Sequence, residues 1–296
     1  MANKNKIKTT AGEKVFDIFN VLFMLFIMII CLYPMLHVLF ASFSNGVELM
    51  KHQGLLLWPA GFSTEAYSAV ARNAMIPRGY MVTLFVVFVG TTLNIIMSCL
   101  GAYFLARNDQ AIGKAAMIFI VITMFFSGGM IPGYLNVRSL GLYDSIWALI
   151  FPVALNTFNM IILKTNFMSI PASLEESAKL DGAGHGTILF KIFVPLSKAT
   201  LAVLVLYYGV AHWNSWFNAM MYIQNRELYP LQLILREILI VNDTSNMTAG
   251  NAVDVEQVSD TIKYAVVIVT TLPILAIYPF LQKYFVKGVM VGAVKG

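Results

Sequence analysis

The sequence predicts an all-α integral membrane protein with six transmembrane helices, on three observations. Of its 296 residues 58% are hydrophobic and 12% charged, and the mean hydropathy is +0.74; so few charges cannot coat a water-soluble globule of this size. The charges that exist are clustered. Between the clusters lie charge-free runs over residues 18–47, 79–106, 115–137, 145–163, 199–225 and 264–282, and a helix rising about 1.5 Å per residue needs roughly 20 apolar residues to cross a bilayer core. Runs this long and unbroken exclude barrel strands, which alternate over about ten residues.

Taken in order, Lys4, Lys6, Lys8 and Lys14 mark a polar tail over residues 1–14, and the first helix is expected over 15–43. Its apolar stretch exceeds the roughly 7–15 residues of a signal-peptide core, so it reads as an uncleaved anchor. The other five runs form a core over 79–286, followed by a tail over 287–296. An even number of spans puts both termini on one side. Assigning to that side the two tails with Lys283 just before the second, the 106–114 turn and the 164–198 loop collects 13 of the 20 basic residues, which makes it cytoplasmic by the positive-inside rule. The expected location is the cell membrane, multi-pass, with both termini inside. The net charge of +5 then reflects contact with lipid headgroups and no nucleic acid.

Two polar stretches are longer than turns: a cytoplasmic loop over 166–195 and an external loop over 223–263. In the external loop Leu231, Ile234, Leu235, Ile238 and Leu239 recur at helical spacing, giving an apolar stripe that suits a packing helix or a docking surface on the outer membrane face. Pro152, Pro273 and Pro279 remove backbone donors inside the runs and allow kinks.

What the spans lack is also informative. None of the six runs contains Asp, Glu, Lys or Arg, which leaves ion-driven transport without the ionisable relay it ordinarily uses. No GxxxxGK[ST] phosphate loop and no HExxH pair occurs, Cys31 and Cys99 stand alone, and the glycine run Gly182-Ala183-Gly184-His185-Gly186 follows a polar helix instead of a strand. No catalytic residue, metal site or cofactor is expected, and uphill movement would need energy from another chain.

The cytoplasmic loop carries the most information. Ser173 and Glu176 have capping-box spacing, Glu175 and Lys179 stand at i, i+4, and Gly182 supplies a stop. A helix from Leu174 to Asp181 follows, too short to stand alone in water, so it should lean on span ends or a cytoplasmic partner. Glu176-Ser177-Ala178, three residues, Gly182, nine residues, then Ile192-x-Val194-Pro195 resembles the EAA signature of ABC importer permeases, with Ser177 in place of the first alanine and Val194 in place of leucine. Trp213-Asn214-x-Trp216 is similar to the carbohydrate-importer branch, and Phe126-Ser127-Gly128-Gly129-Met130-Ile131-Pro132 and Leu228-Tyr229-Pro230-Leu231-Gln232 are similar to its permeases serving plant cell-wall or host-glycan oligosaccharides.

The resemblance implies a type I ABC importer permease fold with a short cytoplasmic coupling helix, in a transport subunit that is not an enzyme. It implies a second permease subunit, two ATP-binding-cassette ATPase subunits that hold the ATP and Mg, and an extracellular solute-binding protein delivering an oligosaccharide across the lipid bilayer; this chain itself binds no cofactor. The ATPase-coupling residues would be Leu174, Glu175, Glu176, Ser177, Ala178, Asp181 and Gly182. Ser177 and Ala178 are small enough for close approach, and Glu176 can pair with a basic partner group.

Sugars present hydroxyls and apolar C–H faces, so their sites combine amides with aromatic platforms. Trp213, Asn214, Trp216 and Asn218 on the outer part of the fifth run offer both, as a translocation wall or as an interfacial aromatic belt. Asn94 with Ser98, and Asn156 with Asn159, are further polar pairs that either join helices or touch sugar. The reading from another functional class is a self-sufficient channel or facilitator without an ATPase partner.

Overall fold

The structure is a computed structural model that describes residues 10–107, 113–241, 261–277 and 279. Among the described residues all regular structure is helical, apart from an isolated bridge between Ser44 and Phe62. The chain divides into two units, one of residues 10–72 with 261–269 and one of residues 73–241 with 270–277 and 279.

The first unit contains α1 (Ala11–Ser42), α2 (Gly46–Lys51) and α3 (Glu65–Arg72). A capping box starts α1: Glu13 N donates to Thr10 Oγ1 at 3.3 Å and Thr10 N to Glu13 Oε2 at 2.7 Å. Only Ala41 and Ser42 of its 32 residues are buried. A helix apolar around its whole circumference and bare along its length suits lipid as its solvent. Its end is fixed by Ser42 Oγ against Tyr67 Oη at 2.8 Å and by the Phe43 and Tyr67 rings, 4.8 Å apart.

The second unit is built around α4 (Met75–Ala106), on which α5 (Gly113–Phe125), α7 (Thr157–Met168), α11 (Lys198–Trp213) and α13 (Leu231–Arg236) all pack. Its buried face carries Thr83, Gly90, Asn94, Ser98 and Ala102, the small and hydroxyl-bearing residues that let helices approach where no hydrophobic force drives them together. Gly90 shows why: a Cβ there would lie 2.6 Å from the His212 ring nitrogen Nε2. The remaining helices of this unit are α6 (Met130–Ser139), α8 (Ala172–Leu180), α9 (His185–Ile188), α10 (Val194–Leu196) and α12 (Phe217–Tyr222), while α14 (Thr261–Ile277) has residues in both units.

The expected continuous spans are corrected in three places. The 115–137 run breaks at Phe126-Ser127-Gly128-Gly129, and the helices on either side are bent by 114°. The 145–163 run begins with 3-10 turns at Ile146–Leu149 and Phe151–Val153, the second holding Pro152, and turns by 48° into α7. The 199–225 run is helical only to Trp213 and resumes as α12, while the segment before it, His185–Leu196, meets α11 at 86°. Two helices are thus long and apolar enough to cross a membrane alone, and up to five if each bent pair is one span, with Thr261–Ile277 shorter. Continuous hydropathy does not distinguish a straight helix from two apolar pieces joined at a turn, because both bury the same surface.

The external apolar stripe is a packing helix. Leu231, Leu233, Ile234 and Ile238 are buried, and Leu231 N donates to Thr83 Oγ1 of α4 at 2.8 Å. It is α-helical to Arg236 and continues as a π turn over Glu237–Val241. The 1–9 part of the N-terminal tail, the 108–112 turn, residues 242–260 and the C-terminal tail lie outside the described residues.

Candidate functional site

At one end of the second unit α8 rests on a floor of aromatic rings. Tyr103 and Phe193 lie 5.2 Å apart, and Phe167 and Phe193 5.3 Å apart, all edge to face, a geometry in which positive ring edges meet negative faces. Ile170, Ala178 and Ala183 pack on the buried cluster that contains these rings. Phe193 comes from a π turn over Leu189–Phe193 that leads into Val194 and Pro195, so the second half of the sequence signature builds the floor under the first half.

The start of α8 corrects the expected capping box. Its N-cap is Pro171, with φ −57° and ψ 130°, and no side chain caps it. Proline has no N–H to satisfy and its fixed φ suits a helix entrance, so Ser173 falls inside the first turn and the helix spans Ala172–Leu180. The stop is as the sequence reads. Gly182 has φ +79°, its N–H donates to Lys179 O at 3.0 Å, and Ala183 N–H donates to Ala178 O at 2.9 Å. That pair of bonds is the Schellman arrangement, which needs a left-handed residue at this position and therefore favours glycine.

One residue absent from the sequence reading holds the helix down. Arg107 ends α4, and its guanidinium stands 3.2 Å from Glu175 Oε1, with 7% of the Arg107 and 17% of the Glu175 side chain exposed. The same carboxylate pairs with Lys179 at 3.0 Å. Arg107 also donates to Tyr103 Oη at 3.1 Å, lies 5.4 Å from the Tyr103 ring centre, and contacts Nδ1 of His185. A fork of five donors satisfies several acceptors at once. Nothing local in the sequence marks Arg107, which is 68 residues from Glu175 along the chain; only the packing of α4 under α8 brings them together.

This anchorage sorts the residues expected to couple to an ATPase. Glu175 and Ala178 face the floor; Leu174, Glu176, Ser177, Asp181 and Gly182 are exposed, with Leu174 at 42% and neighbouring Leu180 at 90%. A cavity of about 320 Å³ lies beside the helix, lined in part by Arg107, Phe167, Met168, Glu175, Glu176 and Lys179.

The polar residues of the fifth run lie at a second cavity, of about 290 Å³. Asn156, Tyr208, His212, Asn214, Trp216 and Asn218 line it, with Ser215 and Phe217 between them. Asn214 and Asn218 converge there across a break in the helix, not on successive turns of one. Asn214 is the C-cap of α11 and donates from Nδ2 to Val210 O at 3.0 Å. Trp213 points elsewhere: buried, it meets Tyr80 and lines a separate apolar cavity with Val87, Gly209, Ile274 and Ile277.

Behind the cavity wall runs a buried hydrogen-bonded ladder. Asn94, fully buried, donates from Nδ2 to Val153 O at 2.6 Å and accepts at Oδ1 from His212 Nε2 at 2.7 Å. Ser98 Oγ and the Tyr208 hydroxyl are 2.7 Å apart, and Asn156 N–H donates to that hydroxyl at 3.3 Å. Asn156 caps α7, its Oδ1 accepting from Asn159 N at 3.0 Å. Asn94 thus ties helices together out of reach of the cavity, while Asn156 both caps a helix and lines it. At the cavity's edge Arg236 stacks over Trp216, 4.7 Å from the ring centre. Tyr229 has its phenol pushed above the usual range, first by burial and then by the Glu237 carboxylate.

The chain matches no protein-family model. It is 43% identical over 290 residues to the polygalacturonan/rhamnogalacturonan transport system permease protein YtcP of Bacillus subtilis (strain 168), covering 96% of this chain and 99% of that one. It is 40% identical over 299 residues to Protein LplC of the same organism, covering all of both. Among solved structures it is similar to a chain of a bacterial ABC transporter involved in the import of the acidic polysaccharide alginate, with TM-score 0.87 and 29% identity, over 95% of this chain and 100% of that chain. A chain of the bacterial alginate ABC transporter in complex with alginate pentasaccharide-bound periplasmic protein shares the fold at TM-score 0.51 and 15% identity, over 88% of this chain and 92% of that chain.

Proposed function

Because the chain belongs to the permease family of ABC transporters, we propose that it forms half of the transmembrane pathway of an oligosaccharide importer and takes its driving force from partner ATPases through α8. In this reading it crosses the cell membrane six times, with each bent pair counted as one span and the 264–282 run as the sixth. Both termini and α8 lie in the cytoplasm. The core over 79–286 pairs with a second permease subunit, two ATPase subunits bind beneath it with ATP and Mg, and an extracellular binding protein supplies the sugar at the cavity end.

The observation that carries this reading is the two-faced construction of α8. A free surface helix of nine residues would be unstable in water, yet this one is clamped by Arg107 and an aromatic floor while Leu174, Glu176, Ser177 and Leu180 remain uncovered. Exposed leucines beside a carboxylate and a small residue suit a groove on another protein. The inner face is fixed to α4, so a push on the outer face is delivered to the helix at the centre of the second unit.

Substitutions at Gly182 and Glu176 test the role. Gly182→Asp forces a β-carbon into the left-handed region, and Glu176→Lys reverses the charge offered to the partner. Both proteins should remain in the membrane while co-purified ATPase is lost or sugar-stimulated ATP hydrolysis falls at least about tenfold, since docking contacts at an interface centre are worth roughly 2 kcal/mol or more. Unchanged uptake and ATP hydrolysis in both variants would reject it. Flux through this chain alone, without ATP, would also reject it.

A further inference from the structure

We infer that Arg236 is a specificity residue that reads the carboxylate of a uronic-acid sugar at the edge of the polar cavity, so that the oligosaccharide is an acidic one. The inference rests on the oligosaccharide reading and narrows its substrate class.

Of Arg78, Arg226 and Arg236, the first two are matched to acids. Arg78 pairs with Glu227 at 2.8 Å and Arg226 with Glu237 at 2.8 Å. Arg236 differs. It sits in the last turn of α13, next to Glu237, yet that carboxylate is turned to Arg226, and among the described residues no acid stands within ion-pair distance of Arg236. Its guanidinium lies instead over the Trp216 ring at 4.7 Å. A cation–π contact at a partly exposed site is worth only about 0.5–1 kcal/mol and leaves the donor edge of the guanidinium free. Among the described residues the charge is thus held in place with no carboxylate opposite it.

The place is specific. Trp216 lines the cavity and is 36% exposed, an apolar platform for a sugar C–H face. Asn156, Asn214 and Asn218 bring amides to the same wall, matching hydroxyls. A guanidinium at the platform's edge adds what neutral sugars lack a use for: paired N–H donors that fit a planar carboxylate bidentately. Position is secured from behind, because α13 is buried against α4 through Leu231 and Ile234 and is tied by the Leu231 N to Thr83 bond. Two similar proteins are named for polygalacturonan/rhamnogalacturonan and for the acidic polysaccharide alginate, glycans whose uronic-acid units carry this carboxylate.

The test uses the assembled importer in proteoliposomes with its binding protein, comparing wild type, Arg236→Gln and Arg236→Lys. The substrates are a galacturonate oligosaccharide and the same oligosaccharide with its carboxylates methyl-esterified. Taking the ratio of variant to wild type for each sugar cancels the preference of the binding protein. Arg236→Gln should raise the KM for the charged sugar about tenfold and leave the ester within twofold, the loss of one charge-assisted pair. Arg236→Lys, which keeps the charge without the fork, should fall between. An unchanged KM for the charged sugar in Arg236→Gln, or equal shifts for both sugars, would overturn the assignment. Wild-type importer that takes up neither sugar but transports a neutral oligosaccharide would overturn this assignment alone, whereas one that responds only to a solute that is not an oligosaccharide would overturn the oligosaccharide reading with it.

Discussion

The α8 end of the second unit and its polar interior solve opposite problems with the same helix. At the α8 end, α4 finishes in a charged residue, and Arg107 reaches out to seize a segment that would otherwise unfold. At the cavity, α4 contributes no charge; Asn94 and Ser98 bind His212 and Tyr208 through neutral hydrogen bonds. The difference follows from the surroundings. An ion pair at a water-facing end has its charges partly solvated and can be satisfied by several acceptors, whereas a charge amid the spans would cost about 2.5–3.5 kcal/mol even on lenient scales. Neutral amides and hydroxyls hold the middle because they need only one partner each. The end is therefore fastened by electrostatics that reach across a surface, the interior by close packing that tolerates little change.

Substitutions can break that contrast. Arg107→Ala is expected to have the largest effect: it leaves Glu175 half-buried with only Lys179 opposite, at a cost of about 3 kcal/mol to the seating of α8. Hydrogen exchange over residues 172–183 should rise by two orders of magnitude while the rest of the second unit is protected as before. Protection lost equally everywhere would mean Arg107 supports the whole unit and not the helix.

Next comes Gly90→Val, which drives a branched side chain into the His212 ring. Overpacking of this kind costs about 1–3 kcal/mol, so the thermal unfolding midpoint of the purified complex should fall by several degrees; an unchanged midpoint would show that His212 can move aside. Tyr208→Phe removes the hydroxyl shared by Ser98 and Asn156 and should cost about 1–2 kcal/mol, visible as a smaller fall in the same midpoint. The smallest effect belongs to Lys179→Ala, since the Lys179 side chain is 42% exposed and its i, i+4 pair is worth roughly 0.3–0.5 kcal/mol. Exchange over 172–183 should change by less than about threefold, and a change as large as that of Arg107→Ala would show that both cations hold Glu175 equally.

Legibility in the sequence tracked distance along the chain. Gly182 could be read because a helix stop is a local matter of φ, and the Glu175–Lys179 pair because it lies one turn apart. Ser173 was misleading because its spacing to Glu176 is shared by many first turns, and the proline two residues earlier decided where the helix begins. Asn214 and Asn218 belong to one unbroken apolar run, and they meet at one cavity, but through a turn at residues 214–216 that hydropathy does not register. Trp213 looked equivalent to Trp216 by composition, yet one lines an apolar cavity and the other a polar one. The helix ends at Trp213 and the chain turns before the next one begins at Phe217, so the redirected backbone puts the two tryptophans in two environments.

By itself, then, the sequence determined the solvent of this protein, the helical character of its spans and the presence of a capped, charged helix in a polar loop. These follow from composition, from run lengths and from interactions within a single turn. Tertiary structure alone decided which residues hold that helix down, where the spans break, and which of several amides and aromatics share a cavity. Each of those depends on partners dozens of residues apart, and no local free energy encodes which distant partner a buried arginine, glycine or asparagine will meet.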